Sequence, residues 1–273
     1  MDITADRIWS DFRILRETTP LVLSLTNSVV REFTANALLS LGASPIMSDA
    51  FEEIAELVGI SSSLNLNIGT PTPRSAEAMA LAARAAKAKT IPIALDPVAV
   101  GATQLRWKLV ERLLSIATPA VIRGNQAEIA ALAGIRSIAR GVDAVEALEG
   151  AASMVRKLAK RLGTVIVASG ATDYLSDGEI VVAIDNGHPF MSRTTGSGCV
   201  ATAVIAAFLP ISSSPLAAAV SAMIVMNMAG EFAADHSRTD GPGSFRVHFL
   251  DAFDKLEPDL IEARMKVRLV ETP

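Results

Sequence analysis

Cysteine is almost absent from this chain: there is one among 273 residues. A lone cysteine forms no internal disulfide, and with only three histidines it builds no four-ligand Cys/His zinc site. A reducing, cytoplasmic setting is the expectation. An excess of basic charge is missing too. Lys and Arg number 25 against 29 Asp and Glu, a net charge of −4. Nucleic-acid binding needs a basic patch to neutralise phosphates, so no nucleic-acid partner is expected. No Gly-Lys-Ser/Thr occurs, which excludes a P-loop. The first residues lack the apolar stretch of a targeting signal. Asp2 and Asp6 interrupt them, and Ile8, Trp9, Phe12 and Leu15 fall at helical spacing instead.

Apolar residues are what the chain has in quantity. Half of it is hydrophobic and 20% is charged, which excludes disorder and leaves ample material for a core. Charge is missing between Arg193 and Glu231, so a membrane span needs a check. Pro210, Ser212, Ser213, Ser214 and Pro215 break that stretch. The piece before the break is too short for the ~20 residues of a spanning helix. The piece after it is mostly alanine and carries Ser221 and Asn227. Two buried core helices are expected there, not a membrane segment.

Short apolar runs alternate with longer helical stretches. Strands are predicted at 21–25, 64–68, 91–95, 120–122 and 165–168. Helices are predicted at 35–41, 50–58, 75–88, 104–116 and 142–162. This βαβα rhythm predicts a parallel sheet covered on both faces. Residues 173–184 read as a hairpin turning at Asp177-Gly178. Without repeats, low-complexity tracts or a linker, one domain is expected over residues 1–273.

The strand ends are more telling than their interiors. They run into Thr26-Asn27, Gly69-Thr70, Asp96-Pro97, Arg123-Gly124-Asn125 and Ser169-Gly170. Ligands of open parallel sheets bind beyond the carboxyl ends of the strands. Any one polar end is an ordinary turn. An arginine, an aspartate and a glutamate aimed at one edge are less easily dismissed.

The sharpest segment is Thr194-Thr195-Gly196-Ser197-Gly198-Cys199, which opens an alanine-rich helix. Gly196 and Gly198 let the backbone turn tightly and aim its N–H groups at one spot, where the helix N-terminus adds positive charge. Phosphate is the commonest occupant of such a place. A plain glycine-rich helix entry remains the alternative. The dinucleotide fingerprint is rejected, because no strand leads in and no acid follows before Glu231. Cys199 is either an inert small hydrophobe or a thiol whose pKa the helix N-terminus lowers. Asp96 and Asn125-x-x-Glu128 are the Mg²⁺ candidates; Asn125 and Glu128 also suit a helix cap. Arg123 suits either a structural salt bridge or a planar grip on phosphate. His188 shapes a turn, and His236 and His248 lack partner spacing.

Taken in order, Ser24-Leu25-Thr26-Asn27, Ala35-Asn36, Gly42-Ala43-Ser44-Pro45-Ile46-Met47, Asn67-Ile68-Gly69-Thr70, Leu95-Asp96-Pro97-Val98-Ala99-Val100-Gly101-Ala102, Ile122-Arg123-Gly124-Asn125, Gly141-Val142-Asp143, Asn186-Gly187-His188-Pro189-Phe190-Met191 and Gly241-Pro242-Gly243-Ser244-Phe245 resemble the hydroxyethylthiazole kinase family of thiamine salvage. The resemblance runs from about residue 20 to about residue 256.

It implies a ribokinase-like three-layer α/β fold with a central, mostly parallel sheet. It also implies a homotrimer with active sites between subunits. The reaction implied is ATP-dependent phosphorylation of 4-methyl-5-(2-hydroxyethyl)thiazole with Mg²⁺. Met47 is similar to the position contacting the thiazole, with Asn27 and Gly69 nearby and Gly196 as a further substrate contact. Arg123 and Ser169 resemble ATP contacts, with Asn125 and Gly198 beside them. Asp96 and Glu128 resemble the carboxylates near Mg²⁺. Cys199 stands where relatives with other substrates carry an aspartate base. Where Ser169 and Ser197 stand the family often has threonine, and both keep the hydroxyl. Residues 61–66 are more polar than expected, and Asn65 is odd for a buried strand. The alternatives are a hydroxymethylpyrimidine or sugar kinase, a cysteine-nucleophile hydrolase, and a non-catalytic nucleotide-binding trimer.

Overall fold

Successive residues of a strand point to opposite faces of its sheet, and here both faces are apolar. Val22 belongs to one core and Leu23 to the other; Val121 and Ile122 divide in the same way, as do Val165 and Ile166. The computed structural model describes residues 3–135, 144–237 and 240–271. Its first half runs α1 (Ala5–Thr18), β1 (Leu21–Leu25), α2 (Arg31–Leu41), β2 (Ser44–Met47), α3 (Phe51–Ile60), β3 (Ser63–Asn67), α4 (Pro73–Lys89), β4 (Ile93–Asp96), α5 (Gln104–Ile116), β5 (Val121–Asn125) and α6 (Gln126–Ala133). Then follow α7 (Ala144–Leu162), β6 (Val165–Ser169), β7 (Asp173–Ser176), β8 (Val181–Ile184), a 3₁₀ turn (Pro189–Arg193), α8 (Ser197–Phe208), α9 (Pro215–His236), α10 (Pro242–Lys255), α11 (Pro258–Arg264) and β9 (Val267–Leu269).

These strands form one sheet in the order β2-β1-β3-β4-β5-β6-β7-β8-β9. The pairings through β6 are parallel and the remaining three are antiparallel. Helices α1, α2, α8, α9 and α10 build the core on one face; α3 to α7 build it on the other. The architecture is the expected three-layer α/β fold with a mostly parallel sheet. The chain passes from β1 outward to β2 and returns to β3 on β1's other side. That reversal makes a crevice at the carboxyl ends of β1 and β3.

Local chemistry accounts for the element ends. Thr103 caps α5 by accepting from the Arg106 N–H, and that helix begins where the sequence predicts. No side chain caps α2, which starts at Arg31, ahead of the predicted residue 35. Strand β2, absent from the predicted strands, contains Pro45 and lies at the sheet's edge, where a missing N–H is tolerated. Asp177-Gly178 turns the hairpin as expected, with Gly178 at φ 102°. Gly141-Val142-Asp143 and the first two positions of the predicted helix 142–162 lie outside the described residues.

Helix α9 is long and apolar enough to cross a membrane, and its most apolar window is 83% buried inside the fold. It is a core helix, as is α8, whose last nine residues are all buried. Asn65, the odd residue, is also buried. Its amide donates to Ser24 Oγ at 3.2 Å, across the register that pairs the two residues. Ser63, Asn65 and Asn67 share one face of β3, and α8 packs against that strand.

Candidate active site

The polar face of β3 leads to the sheet edge where the strand ends meet. Asn67, the last residue of β3, turns its amide oxygen to the Gly69 N–H at 3.0 Å and the Asn27 amide at 2.8 Å. Its own NH₂ therefore faces the neighbouring strand and donates to Asp96 Oδ2 at 2.7 Å. Thr202, one turn into α8, donates to the same oxygen at 3.2 Å. Asn27 also donates to Cys199 Sγ at 3.5 Å. One network thus joins the ends of β1, β3 and β4 to the first turns of α8.

Arg123 crosses this edge from β5. Its Nη2 donates to Ser169 Oγ at the end of β6, and its Nε is buried without an acceptor among the described residues. A Cβ on Gly198 would stand 2.6 Å from Arg123 Nη1, so glycine lets the guanidinium lie against the α8 N-terminus. Gly196 caps that helix at φ 96°, where a Cβ would meet Val30 Cγ1 at 2.6 Å. A guanidinium with an unused N–H, set beside free helix N–H groups, is a place for an anion.

These groups border a cavity of about 820 Å³. Asp96, Arg123, Ser169, Gly196, Gly198 and Cys199 line it, together with Asn125 and Glu128. Asn27 reaches it through its bond to Cys199. Gly69 lies behind Asn27, its carbonyl held by Arg106 Nη2 at 2.5 Å. Met47 is not part of the wall. It ends the edge strand β2, two strands from Asn67.

A family model described as the hydroxyethylthiazole kinase family matches residues 12–259. The chain belongs to that family. It is 47% identical over 262 residues to a hydroxyethylthiazole kinase of Nitratidesulfovibrio vulgaris, covering 96% of this chain and 97% of the relative. Identity to the hydroxyethylthiazole kinase of Syntrophus aciditrophicus is 43%, over 98% of each chain. The solved hydroxyethylthiazole kinase structure from Pyrococcus horikoshii superposes with a TM-score of 0.89 at 36% identity, over 97% of this chain and 99% of that one. A pyridoxal kinase from Staphylococcus aureus reaches 0.64 at 15% identity, over 93% and 99%, which is a likeness of fold alone. The fold is therefore ribokinase-like, as the resemblance implies.

Burial governs the electrostatics of two residues at this edge. For Cys199 the sequence left two readings open, an inert small hydrophobe or a thiol acidified by the helix N-terminus, and the structure favours the first. Burial and the neighbouring Asp96 push its thiol up to about 11, against weaker help from Asn67, Asn27 and Arg123. The thiol stays protonated at neutral pH. Asp96, at the carboxyl end of β4, is buried, 1% exposed. Burial pushes its carboxyl up to about 7; Arg123 lowers it, Glu128 raises it, and the bonds from Thr202 and Asn67 lower it.

Two crowded carboxylates beside one arginine suit a divalent cation. No group of three or more His, Cys, Asp or Glu side chains could hold a metal among the described residues. A Mg²⁺ ion needs only one or two protein oxygens, the rest coming from water and phosphate. Asp96 meets that demand, since both its donors use Oδ2. Glu128 is more committed: its Oε1 accepts from Ala99 N at 2.8 Å and its Oε2 from Asn125 N at 2.7 Å. Asn125 returns the bond to Glu128 N at 2.9 Å, a reciprocal cap on α6.

Sequence reasoning passed over four polar residues of this region: Asn67, Thr202, Asp173 and Asn227. A signal existed for Asn67, since polar residues alternate at 63, 65 and 67 on one face of a strand. His188 caps the 3₁₀ turn, its Nδ1 accepting from Phe190 N at 3.2 Å, which fits the turn-shaping role. His236 stacks on Phe232 with ring centroids 4.1 Å apart.

Proposed function

We propose that this chain transfers the γ-phosphoryl group of ATP to the hydroxyl of 4-methyl-5-(2-hydroxyethyl)thiazole. The observation that carries the reading is Arg123 laid against the α8 N-terminus at Gly198, beside the Asn27–Cys199 contact. Family membership with relatives named for this activity supports it. The alcohol oxygen forms a bond to the γ-phosphorus as the bond to the bridging oxygen of ADP breaks. Arg123 and the N–H groups opening α8 meet the charge on the transferred group. Ser169 steadies Arg123, and Asn125 and Gly198 shape the nucleotide's seat. Asp96, with Glu128 behind it, would hold Mg²⁺, which when bound neutralises phosphate charge.

Asn27 and Gly69 border the alcohol's place, with Gly196 at its helix end. Cys199 is set beside the hydroxyl. Its protonated thiol makes it a poor standing base, and a loose transition state lets the proton leave late. A cysteine-nucleophile hydrolase would need a lowered thiol pKa and a histidine partner. Cys199 has a raised pKa, and the side chains that bond it, Asn67 and Asn27, are amides rather than a histidine.

Met47 enters as part of the trimer that the resemblance implies. It lies off the cavity wall of one chain, and Val29, Leu39 and Val247 are exposed apolar side chains at 65%, 59% and 60%. We read this as a site completed by a second copy, in one domain per chain and in the cytoplasm.

The test is ADP release from Mg-ATP against the thiazole alcohol, hydroxymethylpyrimidine, pyridoxal and ribose. The thiazole alcohol should exceed each of the others at least about ten-fold in kcat/KM, since ribose leaves buried polar groups unpaired at ~1–3 kcal/mol each. Equal turnover of hydroxymethylpyrimidine or ribose would remove the substrate assignment.

A further inference from the structure

The cavity holds a second buried carboxylate, Asp173, which the proposed reaction leaves unused. It opens β7 and has no ion-pair partner within bonding distance among the described residues. Each of its oxygens takes one neutral donor: Gly170 N to Oδ1 at 2.9 Å, and Asn227 Nδ2 to Oδ2 at 2.7 Å. Asn227 comes from α9, a helix otherwise almost wholly apolar at this level. One turn on, Glu231 Oε1 accepts from Gly187 N at 3.0 Å and Asn186 Nδ2 at 2.9 Å. Residues four apart lie on one helix face. Helix α9 therefore acts as a fixed post, tying down two loops that border the cavity, one after β6 and one after β8.

The first of these loops matters most. Gly170 directly follows Ser169, the partner of Arg123. A glycine turn has wide conformational freedom unless its N–H is held. We propose that Asp173 and Asn227 are positioning residues that hold the Ser169-Gly170 turn where Ser169 and Arg123 meet the phosphates of ATP. This rests on the reading of Arg123 and Ser169 as nucleotide contacts. Burial pushes Asp173 up to about 6, while the Asn227 and Gly170 bonds and then Arg123 act against that, and Asp185 adds to it. At pH 8 the carboxylate is ionised and its two bonds are charge-assisted.

The test measures ATP affinity by calorimetry at pH 8 without Mg²⁺, with thermal melting as the control for folding. Asp173→Ala and Asn227→Ala should each weaken ATP binding about ten-fold, the scale of a lost charge-assisted bond. Their double variant should be little worse than either, because they share one tie. Asp173→Asn should stay within about two-fold of the parent, since its amide can accept from Gly170 and donate to a flipped Asn227. Affinity for the thiazole alcohol should not move in any of them. Unchanged ATP affinity in a folded Asp173→Ala or Asn227→Ala protein overturns the proposal. So does an Asp173→Asn protein as weak as Asp173→Ala. An Arg123→Ala protein with unchanged ATP affinity would instead strike the functional reading itself.

Discussion

Asp96 and Asp173 are both buried aspartates at the same cavity, and they are bonded in opposite ways. Asp96 takes both its donors, Asn67 and Thr202, on Oδ2. Asp173 takes one donor on each oxygen. Both oxygens of Asp173 are thus engaged by its own protein, as a tie should be. Asp96 keeps Oδ1 uncommitted among the described residues, on a residue that lines the cavity beside Glu128 and Arg123. Similar burial raises the pKa of both. On the roles proposed above, the distribution of donors, more than the depth of burial, is what separates a carboxylate that serves a ligand from one that serves the fold.

The comparison breaks most visibly in activity. Asp96→Asn should lower kcat at least about 100-fold in steady-state ADP release, because it removes charge at the transferring phosphate. Asp173→Asn should lower it far less. A comparable loss from both would mean that the two carboxylates do the same work. Next in size is Arg123→Ala, for which kcat/KM for ATP should fall by roughly ten- to hundred-fold, the scale of a charge-assisted bond. The alcohol's KM should move little.

Cys199 sharpens the Asp96 side. A positioned base typically contributes ~10²–10⁴-fold. A thiol held protonated contributes less, so Cys199→Ala should cost only about ten-fold in kcat. Cys199→Asp supplies an acceptor that ionises more readily and should retain activity. An inactive, folded Cys199→Asp protein would count against a proton-accepting role at this position.

Stability gives the smallest effect and a clear sign. Burial raises the carboxyls of Asp96 and Asp173 to about 7 and about 6 in the folded protein, above the ordinary aspartate value of 3.8. Between those limits the folded state binds more protons than the unfolded chain, so stability falls as pH rises through this range. Asp96→Asn removes that penalty. Without Mg²⁺ or nucleotide, its Tm should exceed the parent's by a few degrees at pH 8, and the two should converge near pH 4. A variant melting below the parent at pH 8 would contradict the raised carboxyl.

Much of this was legible in the sequence, for identifiable reasons. Strands at 21–25 and 165–168 and the helix at 104–116 stood out because apolar runs ended in turn residues or began at a capping threonine. The glycine-rich entry to α8 was legible because glycine at 196 and 198 lets the backbone turn tightly before a helix. Edge strand β2 was hidden by Pro45, and the start of α2 by its lack of a capping side chain. The two ties were hidden because they join residues far apart in sequence: Asn67 to Asp96, and Asp173 to Asn227. The choice between the two readings of Cys199 was not legible, because a helix N-terminus is visible in sequence, whereas burial beside Asp96 is not.

The most direct test of the contrast between the two aspartates is a Mg²⁺ titration of ATP turnover in Asp96→Asn and Asp173→Asn proteins, run side by side with the parent. Asp96→Asn should need at least about ten-fold more Mg²⁺ for half-maximal rate, as expected when one of the few protein oxygens near the ion loses its charge. Asp173→Asn should reach half-maximal rate at the parent's Mg²⁺ concentration. A normal Mg²⁺ requirement in Asp96→Asn, or an equal shift in Asp173→Asn, would contradict the division of roles between them.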